Sequence, residues 1–368
     1  MKSFTLAALV GACFLFFSCS STKTMTAVPS VRTYNATASV GDFLTISLDS
    51  TAHTIAYKNY SNGDSGTVPY TVNNDGTYTV TDPAGNLLAA YEVPGFVMVV
   101  ESAKSGPTHD VPALITAVES VPATIQTFAS RNFNYLQFRT SNGGLELGTV
   151  SVDSQGDIQH DAYWPFGIME QPQDFFNGGT FPASAVVEDA SGNYFTIHEN
   201  DGSHDTVFGT QSGFFAVDTG AGAIIGLPKA SSKDFNSTNA GTYKAIYYHK
   251  VNAQTGQNNN ETGTPSQGQA NLTISNSGLI TITDSQNNQM ATGTLTPIAD
   301  TPSLYDGTNN KLSDPCYGMF TVHVATANSQ QDLFATFQGN AIIFSSFATA
   351  LPAQPGGTYD YFYGVGLK

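Results

Sequence analysis

Two stretches of the chain gather side chains able to do chemistry. The first, His198-Glu-Asn-Asp-Gly-Ser-His-Asp205, sets two imidazoles and three carboxylates within eight residues. Imidazole nitrogen and carboxylate oxygen are zinc ligands, so His198, Glu199, His204 and Asp205 are the candidate metal site. Asp201-Gly202 favours a two-residue hairpin turn. With that turn Glu199 faces His204, His198 faces Asp205, and the two histidines fall on opposite faces of the ribbon. Each pair is then a cross-strand contact contributing a few tenths to about 1 kcal/mol, and a zinc site needs remote ligands to close it.

The second stretch is His160-Asp-Ala-Tyr-Trp-Pro-Phe-Gly-Ile-Met-Glu170, leading into Asp174-Phe-Phe176 and holding the only tryptophan. It interrupts the strand rhythm around it, which predicts a long loop on a β scaffold, where binding residues collect. Tyr163, Trp164 and Phe166 with Asp161 and Glu170 are the candidate platform for a carbohydrate ring or a protein segment. Trp164 plugging the end of a barrel is the structural alternative. Asp161, Glu170 and Asp174 are also the acids from which a hydrolase could draw an acid/base pair. The turn Asp153-Ser-Gln-Gly-Asp157 lacks the regular alternation of a calcium loop. With no P-loop, dinucleotide fingerprint or paired CxxC, no cofactor is implied.

Two motifs resemble known families. Gly63-Asp-Ser-Gly66 resembles the nucleophile signature of trypsin-like serine proteases, and Thr51-Ala-His53 their histidine motif. Thr67 stands where that family has another glycine, and His53 lies only twelve residues before Ser65 (65 − 53) instead of over a hundred. A hairpin loop, Ser61-Asn-Gly-Asp-Ser-Gly66, is the reading the departures favour. At the N-terminus, Lys2, the apolar run Phe4 to Phe17 and the small Ser18 have the layout of a signal peptide. The run, about fourteen residues, is shorter than the roughly twenty that span a bilayer. Cys19 directly after Ser18 resembles the lipobox of bacterial lipoproteins, with Phe16 where leucine is usual and Leu15 beside it. That resemblance implies removal of residues 1–18, lipidation of Cys19 and attachment to the membrane through the lipid anchor. Cys13, after Val10-Gly-Ala, is a rival with a shorter apolar segment, and plain secretion is the simpler alternative. Ser20 is not the aspartate linked with inner-membrane retention in some lipoproteins, which favours the outer membrane.

Composition agrees with export. Charged residues are 11% of the 368, against about 25% in an average protein. Apolar residues at 40%, with 24 Phe and 17 Tyr, suffice for cores. A net charge of −16 argues against nucleic acid as a partner and against electrostatic docking on anionic lipid. With Cys13 removed and Cys19 acylated, Cys316 is left alone, so no intramolecular disulfide forms.

The elements that must position these residues read as strands. Residues 19–38 are Ser/Thr-rich and predict a tether spanning roughly 25 Å. From Gly41 onward, alternating apolar runs are broken by Asn, Asp and Gly clusters, the pattern of antiparallel strands and hairpins. No stretch carries three turns of helical periodicity. Thr71 to Ala89 aligns without gaps on Thr273 to Ala291, pairing Gly76 with Gly278 and Asp82 with Asp284. Phe195-Thr-Ile-His198 resembles Phe320-Thr-Val-His323, and Asp82 to Asn86 resembles Asp189 to Asn193. These matches predict an all-β protein of tandem antiparallel meander modules at 41–125, 131–230 and 238–368. Each is an up-and-down barrel or a sandwich, with a β-propeller as the alternative. The functional expectation is a non-catalytic envelope lipoprotein that binds a ligand or presents a surface. A secreted hydrolase of polysaccharide or peptide, using carboxylates of the middle module, is the alternative, and a purely structural envelope component a third.

Overall fold

Alternation governs the backbone from Val31 to the C-terminus. The computed structural model describes residues 28–105, 111–139, 144–166, 179–255, 258–260, 266–298, 317–325, 330–347 and 358–368. Cys13, Cys19, Glu170, Asp174 and Cys316 lie outside them.

The first eight strands are β1 (Val31–Ala38), β2 (Asp42–Asp49), β3 (Thr54–Asn59), β4 (Ser65–Val72), β5 (Tyr78–Thr81), β6 (Leu87–Val93), β7 (Val97–Ser105) and β8 (Val111–Glu119). Each pairs antiparallel with the next, and β1 pairs with β8 to close a barrel. Residues 31–38, read from sequence as the end of the tether, are therefore a strand. Their alternation is disguised because the lumen-facing set Arg32, Tyr34, Ala36, Ala38 includes a charge, while Asn35 and Thr37 pack outward against the next sheet.

A one-turn helix, α1 (Ile125–Phe128), leads into β9 (Arg131–Arg139), β10 (Gly144–Val152), β11 (Ile158–Phe166), β12 (Thr180–Phe181), β13 (Val186–Glu188), β14 (Phe195–His198), β15 (His204–Gly209), β16 (Phe215–Asp218) and β17 (Ala223–Pro228). The order is β12-β11-β10-β9-β17-β16-β15-β14-β13, so first and last strands pair at the centre and the short β12 and β13 are the edges. Only residues 182–185, largely a 3-10 turn, join those edges. The sheet is thus a barrel left open along one seam.

The last nine strands are β18 (Gly241–Thr255), β19 (Asn258–Asn260), β20 (Ser266–Ile274), β21 (Leu279–Thr283), β22 (Gln289–Pro297), β23 (Met319–Ala325), β24 (Gln330–Gln338), β25 (Ala341–Phe347) and β26 (Thr358–Leu367). Pairing of β18 with β26, from Lys244↔Leu367 to Ala253↔Thr358, closes a second barrel, with β19 folded back on the far end of β18. The fold is the predicted all-β succession of antiparallel meanders, in barrel form.

Each lumen holds its own apolar cluster. A fourth lies between the sheets, built from their outward faces: Val97 and Val118 from the first, Leu136, Phe138 and Ile225 from the second, Ile343, Tyr363 and Val365 from the third. Strands such as β9 are therefore apolar on both sides, with Phe133 and Tyr135 in one cluster and Leu136 and Phe138 in the other.

The sequence matches resolve into two kinds. The turns at Gly76 and Gly278 share hydrogen bonds, register and positive φ (83° and 80°). Asp82 and Asp284 likewise each hold a turn, accepting from the amides of Asn86 (2.7 Å) and Asn288 (2.8 Å). The hairpins, however, occupy the fourth to sixth strands of the first barrel and the second to fourth of the other. Val72 is 54% exposed, whereas its counterpart Ile274 is buried, as is Val80. This repeat is a recurring local solution, not equivalent pieces of a duplicated barrel. The match of Phe195 to Phe320 does fall on corresponding strands, β14 and β23, each the third strand before its barrel's last.

Candidate functional site

The open middle barrel encloses a cavity of about 490 Å³. Its walls are the inward positions of β9, β10, β11 and β14 to β17, among them Phe133, Val152, Phe195, Val207, Phe215 and Val217. Phe128 of α1 plugs one end, in edge-to-face contact with Phe133, Phe195 and Phe215 at ring-centroid separations of 5.9, 5.9 and 6.1 Å. Alternation explains the lining: residues two apart on a strand share a face, so Phe133, Tyr135 and Gln137 all point inward.

Polar groups converge on this apolar chamber from three adjacent strands. Tyr135 Oη donates to Glu146 Oε1 at 2.6 Å and also contacts His160 Nε2. Burial pushes the His160 imidazole down to about 4, so the ring is neutral at pH 7. The phenol has one O–H and donates it in the hydrogen bond to the carboxylate, which leaves His160 Nε2–H as the donor to the phenolic oxygen. The result is a relay from His160 through Tyr135 to Glu146, whose ends, Nε2 and Oε1, lie 4.0 Å apart. Gln137, Glu199 and Asp205 line the same cavity. The arrangement can orient a hydrogen-bonding head while the aromatic and aliphatic walls hold an apolar body.

The hairpin from β14 to β15 departs from the expected register. Glu199 N donates to Ser203 O and Gly202 N to Glu199 O, so the loop has three residues, Asn200-Asp-Gly202, with Gly202 at φ 89°. His198 therefore pairs with His204, and Ile197 with Asp205. The histidines share the exposed face, rings stacked at 5.9 Å, while Glu199 and Asp205 line the cavity behind them. The four candidate metal ligands are split between two faces. Among the described residues no group of three or more His, Cys, Asp or Glu is placed to hold a metal ion.

The aromatic stretch also differs from its sequence reading. Asp161, Tyr163, Trp164 and Phe166 belong to strand β11 and not to a loop, with Trp164 opposite Leu147. Asp161 is the extra residue of a bulge, since Val150 pairs with His160 and Thr149 with Ala162. Pairing with β10 accounts for the strand. Its polar and aromatic residues masked the alternation. Side-chain placement there, and Glu170 altogether, fall outside the described residues.

The protease-like motif is a hairpin. His53 sits in the turn before β3, beside the Thr54↔Pro69 end of the β3–β4 pair, while Ser65 lies at the other end opposite Lys58. Asp153 is used inside its own turn, accepting from the amides of Gln155 and Asp157 at 2.8 and 3.0 Å.

Sequence reasoning missed Tyr135, Gln137 and Glu146. A usable signal was Leu145-Glu-Leu147: in so weakly charged a chain, a lone glutamate between two leucines of a strand marks a carboxylate on a buried or half-buried face.

The chain matches no protein-family model and no curated protein. Among solved structures, a double mutant of transferrin binding protein B from Haemophilus parasuis aligns over 92% of this chain and 76% of its own, at 9% identity and a TM-score of 0.30. Isotype 1 transferrin binding protein B from serogroup B Neisseria meningitidis aligns over 89% and 65%, at 13% identity and a TM-score of 0.28. Likeness at that level carries neither a shared ligand nor a shared role.

Proposed function

We propose that this chain is a non-catalytic binding lipoprotein of the bacterial cell envelope, and that its middle barrel takes up a small, largely apolar molecule bearing one hydrogen-bonding head. The observation that carries the reading is the chamber of about 490 Å³, apolar on its walls and polar where Tyr135, Glu146 and His160 meet. Ligand sites commonly combine such walls with a few convergent polar groups. Those walls favour an apolar ligand over a carbohydrate, whose hydroxyls would be left without partners against Phe and Val.

Binding is tested with N-phenyl-1-naphthylamine, a neutral fluorophore with a single N–H. We expect saturable binding that is weakened in Ile197→Trp, which projects an indole into the chamber from a half-buried wall position, and in Tyr135→Phe. Wild-type affinity in Ile197→Trp would sink the proposal.

A second reading, hydrolysis of a polysaccharide or peptide, is favoured by Glu146, Glu199 and Asp205 lining one cavity. Turnover of such a substrate that disappears in Glu146→Gln, while the probe still binds, would decide for it.

Attachment rests on the sequence around Cys19. No helix among the described residues is long and apolar enough to cross a membrane. In metabolic labelling with palmitate, Cys19→Ala should lose the label and leave the membrane fraction, while Cys13→Ala should do neither. Labelled Cys19→Ala protein would refute the assignment, as would its retention in outer membranes.

A further inference from the structure

The two closed barrels share a strand count and differ in what fills them. Across the first lumen run Arg32, Tyr34, Tyr78 and Glu92, hydrogen-bonded to one another. The other lumen has an aromatic floor, where Phe235, Phe320, Phe337 and Tyr243 pack with centroids 5.6 to 6.1 Å apart. Beside that floor the inward positions on alternate strands β20, β22 and β24 are Ala270, Ala291 and Ala335. These short side chains leave a cavity of about 250 Å³ walled by all eight barrel strands.

Its lining is aliphatic and aromatic, and only Tyr247 and His249 bring polar groups. An apolar cavity of ~150 Å³ already accepts benzene or xenon and excludes water. An eight-stranded barrel is the size at which the lumen holds either side chains or one small ligand. The first barrel takes the former course, and the alanine layer opens the latter. A cationic ligand would find no carboxylate in this lining and an anionic one only the His249 imidazole, which disfavours both. Met290 lines the cavity and is 43% exposed, so it stands at the rim, where its flexible thioether can yield to an entering molecule.

We propose that the C-terminal barrel is a second, separate small-molecule site, selective for a neutral, apolar molecule of about two fused rings. It is independent of the middle barrel, with which it shares no lining residue.

The probe is 2-naphthol, titrated by calorimetry into the full mature chain carrying Ile197→Trp, so that the middle chamber is narrowed and the alanine substitutions report on the C-terminal barrel. One equivalent should still bind. Adding Ala291→Leu should weaken that binding by at least roughly tenfold while the melting temperature holds or rises, because a side chain entering a true cavity is accommodated and one forced into a packed core is not. Where Ala291→Leu does not fold, Ala335→Val carries the same expectation. Absence of 2-naphthol binding in the Ile197→Trp protein would overturn the proposal. So would binding unchanged by both alanine substitutions, or a sharp fall in melting temperature in each.

Discussion

Arg32 forks onto Glu92 inside the first barrel, with Nε and Nη2 donating at 2.6 and 2.7 Å to the two carboxylate oxygens. Tyr34 and Tyr78 donate to the same carboxylate, so all four of its lone-pair positions are used. Both side chains are buried, and the nearby carboxylate holds the guanidinium above its ordinary range. Taking one partner away strands the other charge. Glu92→Ala should destabilise the protein by about 3–5 kcal/mol in urea denaturation, while the apolar pair Arg32→Met with Glu92→Leu should recover most of that loss. A single-variant cost below about 1 kcal/mol would mean that water reaches the guanidinium.

Glycines with the same backbone angle should differ according to their neighbours. Gly41 has φ 88°, and a Cβ there would lie 2.3 Å from the carbonyl carbon of Gly220, where the first barrel meets the middle sheet. Gly76 has φ 83° with nothing within 4 Å of its would-be Cβ. Gly76→Ala should therefore cost about 1 kcal/mol of backbone strain. Gly41→Ala adds a clash between backbones and should cost at least twice as much. Equal losses in parallel melts would show that the sheets separate readily there.

The fold class was legible because turn chemistry repeats. Asn73/Gly76, Asp82/Gly85, Asp153/Gly156, Ser275/Gly278 and Asp284/Asn287 bound the same three-residue loop, each with positive φ at its last residue. Glu199-Asn-Asp-Gly202 follows that spacing. Reading it as a two-residue turn at Asp201-Gly202 shifted the register by one and exchanged the faces of His204 and Asp205. Tyr135 and Glu146 were hidden for a different reason. Strands apolar on both sides give no alternation to show which side is the chamber, and only the curl of the sheet decides. Arg32 was hidden because a charge inside a lumen breaks the pattern by which strands are recognised.

A buried carboxyl and a half-buried imidazole should make stability depend on pH in opposite senses. Burial chiefly, and Asp42 nearby, raise Asp218 to about 6 from an ordinary 3.8, so the native state binds its proton more tightly than the unfolded chain. Its contribution is therefore lost as pH rises from 3.8 to about 6, to the extent of about 3 kcal/mol. His160 is lowered to about 4 from 6.5, so stability is lost as pH falls through that interval, by a similar amount. Asp218→Asn should be more stable than the parent at pH 7 and lose that advantage toward pH 4. His160→Gln should gain on the parent as the pH drops from 6.5 to 4. Urea midpoints across that range check both, and parallel pH curves for parent and variants would contradict them.

The cluster between the sheets predicts how the chain unfolds. Phe138 of the middle sheet stacks on Tyr363 of the C-terminal barrel with centroids 4.2 Å apart, and Tyr363 in turn stacks with Tyr248 at 5.3 Å. Val97 and Val118 of the first barrel belong to the same buried cluster. None of the three sheets buries its outward apolar face without its neighbours. Removing the Phe138 ring should therefore lower the stability of the whole chain and not of one module. Phe138→Ala should cost about 3–5 kcal/mol, the range for deleting a buried aromatic ring. Calorimetry should show one transition in parent and variant, with calorimetric and van't Hoff enthalpies in agreement. Deleting residues 241–368 should leave a fragment that does not regain this transition, because Leu136, Phe138 and Ile225 would face water. Separate transitions, with only one shifted by Phe138→Ala, would instead make the barrels independently stable bodies that merely touch.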